Sequence, residues 1–170
     1  MSGQLSIRRA QADDYVAVRG LADALAAHIE EPPPPLTLDR YLAFYVREHA
    51  PVHLFVALLE DRVVGMIAWI LTHELYSAQA GIYISDIAVH ADARRKGVGR
   101  ALMTKAREWA SDHGVTKLGW DVWKHNASAM EFYEHLGATV DTEAVPHLLL
   151  LTNVPTHPAN GPAPPVFRVS

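Results

Sequence analysis

Apolar residues recur along this chain at two periods, and the periods alternate. Leu5 and Ile7 stand between polar neighbours, which predicts a short half-buried strand over 4–10. Val18, Leu21, Ala22, Leu25 and Ile29 then form a stripe at helical spacing, with Asp13 placed to cap its start. Glu30-Glu31 and the prolines at 32–35 end that helix, because successive prolines lack donors and favour extended backbone. A second helix is predicted from Thr37, with Leu38, Leu42, Tyr45 and Val46 turned inward and Pro51 closing it. Two compact apolar runs follow, 53–59 and 62–71. Glu60-Asp61 between them predicts the tight turn of an antiparallel hairpin. A third strand, rich in Ile, Val and Tyr, is predicted over 81–90.

The second half continues in the same way. Val98, Ala101, Leu102, Ala106, Trp109 and Ala110 share one face of a predicted helix, and Gly114 suits its C-terminal end. Residues 117–122 predict a short strand. Ala129, Phe132, Tyr133 and Leu136 lie on one side of a last helix over 126–136, closed by Gly137. Either Asn126 or a Ser128-x-x-Glu131 capping box starts it. Residues 145–151 predict a closing strand. The order β-α-α-β-β-β-α-β-α-β implies a mixed α/β domain over 1–154, with parallel pairing in its second half. A proline-rich tail over 155–170 follows.

Between the third strand and the third helix stand Arg94-Arg95-Lys96 and the glycines Gly97 and Gly99. Such a loop bares backbone N–H groups at the positive end of a helix dipole and surrounds them with cations, which makes an anion site. No G-x-x-x-x-G-K-[ST] string occurs, and G-x-G-x-x-G fails because Leu102 stands at the third glycine. The common nucleotide motifs are therefore excluded. The remaining readings are a different phosphate ligand or a basic turn that merely starts a helix.

Val89-x-x-x-x-Arg94-x-x-Gly97-x-Gly99-x-Ala101-Leu102 resembles the acyl-CoA-binding motif of the GNAT superfamily of N-acetyltransferases. Asn126-x-x-Ala129-x-x-Phe132-Tyr133-x-x-Leu136-Gly137-Ala138 resembles that family's second motif. Ala91 departs from a common proline and Ala93 from a common aromatic. The resemblance covers residues 4–152. It implies a GNAT-like central mixed, mostly antiparallel sheet of six to seven strands flanked by about four helices, and acetyl-CoA as cofactor. The backbone of Ile87, Ala88 and Val89 would then pair with the pantetheine arm. Arg94, Arg95, Lys96, Gly97, Val98 and Gly99, with Arg100, would hold the pyrophosphate. Asn126 and Ser128 would bind the coenzyme arm, and Tyr133 would sit near the thioester sulfur.

Acetyl transfer needs a neutral amine, a polarised carbonyl and a protonated leaving thiolate. A backbone N–H near an Ile87–Val89 bulge would polarise the carbonyl, and the Tyr133 hydroxyl would protonate the sulfur. Otherwise Tyr133 is an aromatic on the core face of its helix. Asp86, a carboxylate inside an apolar strand, is either the general base or a structural acceptor of backbone hydrogen bonds. Glu30, Glu31 and Asp39 are candidates for an acidic wall around a cationic substrate. Tyr83, Ser85, Asp121 and Trp123 are further acceptor-binding candidates. Segments 81–89 and 120–126 look similar to the diamine and polyamine acetyltransferase branch. Ser85, however, stands where that branch commonly has an acidic residue. A protein or peptide N-acetyltransferase and a non-catalytic acyl-CoA-binding regulatory module are the alternatives.

Composition adds exclusions. With 170 residues, 49% hydrophobic and 20% charged, the chain can bury one real core. A net charge of -4 argues against nucleic acid as partner despite the local cations. The absence of cysteine removes disulfides, thiolate metal sites and a cysteine nucleophile. His73-Glu74 lacks the second histidine of H-E-x-x-H, so no metal is expected. Residues 1–9 lack the apolar core of a signal peptide, and no stretch approaches the roughly 18 apolar residues of a membrane span. The expectation is a cytoplasmic protein with a small-molecule amine as partner and no membrane partner. A homodimer remains open.

Overall fold

The runs at 53–59 and 62–71 form the expected hairpin, and it lies at the centre of a five-stranded sheet. The computed structural model describes residues 4–143 and 146–147, which divide into one unit running to Trp120 and a second from Asp121. The first unit contains β1 (Leu5–Arg9), α1 (Tyr15–His28), α2 (Leu38–Tyr41), β2 (His53–Leu59), β3 (Arg62–Glu74), β4 (Gln79–Val89), α3 (Val98–Asp112) and β5 (Lys117–Gly119). The second contains α4 (Ala127–Glu134).

The strands lie in the order β1-β2-β3-β4-β5. The first three pairings are antiparallel and β4–β5 is parallel. The described residues therefore hold five strands where six to seven were expected. The strand expected over 145–151 lies outside the described residues, except Pro146 and His147, which belong to no strand. β5 also stops at Gly119 rather than 122, because its pairing with β4 ends at Tyr83↔Gly119. Glu60 (φ 50) and Asp61 (φ 63) close the β2–β3 hairpin in the left-handed conformation, the turn whose twist matches that of antiparallel strands.

One face of the sheet packs on α1 and α2. Leu54, Val56, Leu58, Met66 and Ala68 join Val18, Leu21 and Tyr41 in a buried cluster. Two local expectations are corrected here. Asp14, not Asp13, organises the start of the first helix. It accepts the Gln11 N–H at 2.7 Å and both guanidinium nitrogens of Arg8, at 2.7 and 2.9 Å. Leu38 is 45% exposed, and Tyr41 is buried in its place. α2 runs directly into a π-helical turn over Leu42–Val46, where the Arg47 N–H reaches the Leu42 carbonyl five residues back at 2.9 Å.

The opposite face carries α3. Val98, Leu102, Met103, Ala106 and Ala110 are its buried positions. Gly65 on β3 lets the helix lie close: a Cβ there would come within 3.0 Å of Val98 Cγ1, 3.1 Å of the Ala88 carbonyl oxygen and 3.2 Å of Leu102 Cδ1. Further along, Trp69 is fully buried, stacked on Phe55 at 5.0 Å and tilted against Trp109 at 5.6 Å. His53 packs on Trp109 at 4.6 Å.

Candidate active site

β4 changes character at Ser85. Asp86 lies opposite Ala68 and Ile84 opposite Trp69, so Ser85 is the extra residue of a β-bulge. The bulge therefore lies at Ser85, not within Ile87–Val89, and it adds twist to the strand. Upstream, Gly81, Ile82 and Tyr83 pair with β5. Downstream, Ile87, Ala88 and Val89 pair with Ile67, Met66 and Gly65 of β3, and their other edge has no strand partner among the described residues. An extended chain can add to such an edge through backbone hydrogen bonds.

This edge leads into the cationic loop. A 3-10 turn at Ala91–Ala93 follows the strand, with the His90 ring accepting the Asp92 N–H at 3.4 Å. Arg94 Nε donates to the Val89 carbonyl at 3.4 Å. Arg95 (φ 60) and Gly97 (φ 80) are both left-handed, so the backbone reverses twice within three residues. Arg94, Arg95, Lys96 and Arg100 are exposed. The first helical bond of α3 runs from Ala101 to the Gly97 carbonyl at 3.0 Å, which leaves the N–H groups of Val98, Gly99 and Arg100 without intrahelical acceptors. A Cβ at Gly97 would meet nothing within 4 Å. The donors, the cations and this clear space all suit a pyrophosphate.

Asp86 is half-buried on the sheet face that packs against α2 and the π turn. No hydrogen bond or ion pair to its carboxylate occurs among the described residues. Tyr45, on the π turn, has its pKa raised by burial and then by the negative charge of Asp86. Tyr45 packs against the buried cluster of that face, the inner position its spacing predicts. Glu30, Glu31 and Asp39 are exposed. Tyr83 is half-buried between Ile70 and Gly119, and Ser85 is exposed at the bulge.

In the second unit, Asn126 caps α4. Its Oδ1 accepts the Ala129 N–H at 3.1 Å and the Ser128 hydroxyl at 3.2 Å. Asn126 is thus the cap, and Ser128 contributes by holding the Asn126 side chain. Ala129, Phe132, Tyr133 and Leu136 are all half-buried, the face read from their spacing. Phe132 meets Tyr133 edge-on at 5.1 Å. Burial raises the pKa of Tyr133. Asp121, Val122, Trp123, Lys124 and His125 line a pocket of about 350 Å³, and Trp123 is 56% exposed. Among the described residues no three metal-ligating side chains come together, and no helix is long and apolar enough to cross a membrane.

The profile of the Acetyltransferase (GNAT) family matches residues 16–138, which includes the loop, the β4 edge and α4. The chain belongs to this family. Among relatives of this GNAT chain, the L-ornithine N5-acetyltransferase NATA1 of Arabidopsis thaliana is 37% identical over 86 residues, covering 50% of this chain and 38% of the relative. Streptothricin acetyltransferase A of Bacillus subtilis (strain 168) is 37% identical over 116 residues, covering 66% of this chain and 60% of the relative. The matched part of the GNAT chain thus spans less than two thirds of the length of either. An aminoglycoside acetyltransferase from an uncultured soil metagenomic sample, solved in complex with sisomicin, superposes with a TM-score of 0.73 at 23% identity. That superposition covers 87% of this chain and 97% of the other and shows a shared fold.

Proposed function

We propose that this GNAT chain is an acetyl-CoA-dependent N-acetyltransferase that acetylates a primary amine of a small molecule by direct attack. The observation that carries the reading is the junction of β4 and α3. A strand edge with no strand partner among the described residues runs into a loop with three N–H groups that lack intrahelical acceptors, exposed cations and clear space at Gly97. An extended arm ending in a pyrophosphate matches both parts. Family membership and the relatives' names, an ornithine acetyltransferase and a streptothricin acetyltransferase, support an amine acceptor.

Acetyl-CoA supplies the acetyl group as a thioester. The backbone of Ile87, Ala88 and Val89 holds the arm, and Arg94 to Arg100 hold the pyrophosphate, with Asn126 and Ser128 at the arm. Asp86, directly or through one water, takes the proton that an ammonium must lose before its nitrogen can attack. The amine nitrogen then bonds to the acetyl carbon as the carbon–sulfur bond breaks. The Tyr133 hydroxyl gives its proton to the departing thiolate, a role open to a phenol because it is protonated at neutral pH. Domain limits at 1–154, a tail at 155–170 and a cytoplasmic location are parts of the same proposal.

The test is release of free thiol from acetyl-CoA with a panel of diamines, amino acids, aminoglycosides and peptides. Turnover with a small amine supports the reading, and turnover with peptides alone replaces it with protein acetylation. Tight acetyl-CoA binding without turnover on any amine rejects it in favour of a regulatory module.

A further inference from the structure

We infer that the His53 ring is a proton-sensitive wedge between the sheet and the C-terminal half of α3, so that acidification loosens this helix and weakens acetyl-CoA binding at its other end. This goes beyond the acetyltransferase reading and rests on its placement of the pyrophosphate at the start of α3. The wedge is built from stacked rings. His53 and Trp69 lie opposite each other on β2 and β3, with their rings 5.9 Å apart and 14° from parallel. Trp109 of α3 closes the notch, 4.6 Å from His53 and 5.6 Å from Trp69. His113, one turn further along α3, stacks on Trp109 at 4.0 Å, and its Nδ1–H donates to the Trp109 carbonyl at 2.7 Å. The buried Trp69 indole N–H has no acceptor among the described residues, so packing rather than a hydrogen bond fixes this ring.

A proton on His53 would meet other cations there. Arg9 of β1 lies opposite Phe55 on the same face of the sheet, and Lys105 of α3 stands 5.9 Å over the Phe55 ring. His113 lies against Trp109, at a helix end whose dipole favours positive charge. Of the carboxylates on this stretch of α3, Glu108 is 3.9 Å from Lys105, and both it and Asp112 are exposed. Neither His53 nor His113 has an ion pair among the described residues. Indole faces attract a cation by about 0.5–2 kcal/mol. Desolvation and the neighbouring cations outweigh that attraction: the pKa of half-buried His53 is lowered from 6.5, by burial foremost and then by Arg9 and His113. The neutral ring therefore fits the notch and the cation opposes it. The helix is fully seated above the ordinary histidine value and loosens as pH falls through the lowered one.

The other end of the same helix carries the anion site. α3 is 15 residues long, and its seat on the sheet runs from Val98 against Gly65 to Trp109 against Trp69. A helix is stiff along its axis, so loosening one end changes the tilt of the other. The N–H groups of Val98, Gly99 and Arg100 then lose their fixed aim. Bound coenzyme favours the seated helix, so by linkage the proton at His53 and the coenzyme at Gly97 oppose each other's binding.

The test is calorimetric titration of the full chain with acetyl-CoA at pH 7.5 and pH 5.5, well below the melting temperature. From the first pH to the second, the wild-type Kd should rise about fivefold more than that of His53→Phe or His53→Gln, which keep a neutral side chain in the notch. The coenzyme's own phosphate, which titrates at about pH 6, is common to all three proteins and drops out of the comparison. Phe fills the notch and Gln does not, so a folding defect in one variant leaves the other informative. Hydrogen exchange gives a second readout without ligand. Amide protection over 106–112 should fall at pH 5.5 in the coenzyme-free wild type, while that of β3 holds. Equal pH dependence of Kd in all three proteins overturns the inference. Unchanged protection over 106–112 overturns it too, as does a loss spread equally over β3, which is global unfolding. A wild type that binds no acetyl-CoA at pH 7.5 rejects the coenzyme reading, and the coupling falls with it. Tight binding that is indifferent to residue 53 at both pH values rejects the wedge alone.

Discussion

Gly97 serves two needs at one position. Its φ of 80 lies where L side chains are strained, at a cost of about 1 kcal/mol. Its missing Cβ also leaves the space above the loop clear. Gly97→Val should therefore weaken acetyl-CoA binding tenfold or more in a calorimetric titration, while the melting temperature falls only a few degrees. Undiminished affinity would remove the loop from the pyrophosphate site. Tyr133 makes a separate prediction. Tyr133→Phe keeps the ring that meets Phe132 and loses only the proton donor. Turnover should fall by about 10² with acetyl-CoA affinity nearly intact, the size expected for a general acid. Equal kcat in the two proteins would reduce Tyr133 to packing.

At the scale of elements, Gly65 sets how closely α3 lies on the sheet. The helix that carries the anion site rests on β3 there, with Val98, Leu102 and the Ala88 carbonyl all within 3.2 Å of where a Cβ would stand. Side chains can shift by a few tenths of an ångström, but the Ala88 carbonyl belongs to the sheet. Gly65→Ala should lower stability by about 1–3 kcal/mol in denaturant unfolding, the usual cost of overpacking. It should also weaken acetyl-CoA binding, although residue 65 is not in the loop. This helix and its loop were legible in the sequence because their signals are local: glycines, cations and a helical stripe from Val98 to Ala110. So was the half-buried face of α4. What could not be read depended on partners distant along the chain. Asp14 replaces Asp13 because Arg8, on the preceding strand, grips it from the side. Tyr41 is buried rather than Leu38 because its hydroxyl donates to the Gln11 carbonyl, 30 residues back along the chain. The bulge moves to Ser85 because strand register is a property of two strands.

At the scale of the whole molecule, two groups predict how stability varies with pH. Burial foremost, then the charges of Arg9 and His113, lower the pKa of His53 from 6.5. The hydrogen bond from Arg8 foremost lowers that of Asp14 from 3.8. In each case the folded state binds fewer protons than the unfolded state, so each contribution is present above the unfolded value and is lost as pH falls through the folded one. Melting temperature should therefore decline in two stages on acidification, first below 6.5 and again below 3.8, and His53→Phe should abolish the first stage alone. A flat profile between pH 7 and 5 would show that protonating His53 costs the fold nothing. The other feature with molecule-wide reach is the edge of β4 beyond Tyr83. Among the described residues its backbone donors and acceptors have no strand partner, and such a row is a template for any extended chain, including the strand of another molecule. An arm lying along Ile87 to Val89 would occupy that template. The coenzyme would then act as a guard against edge-to-edge aggregation as well as a reactant, and the protein would be most prone to self-association when cellular acetyl-CoA runs low.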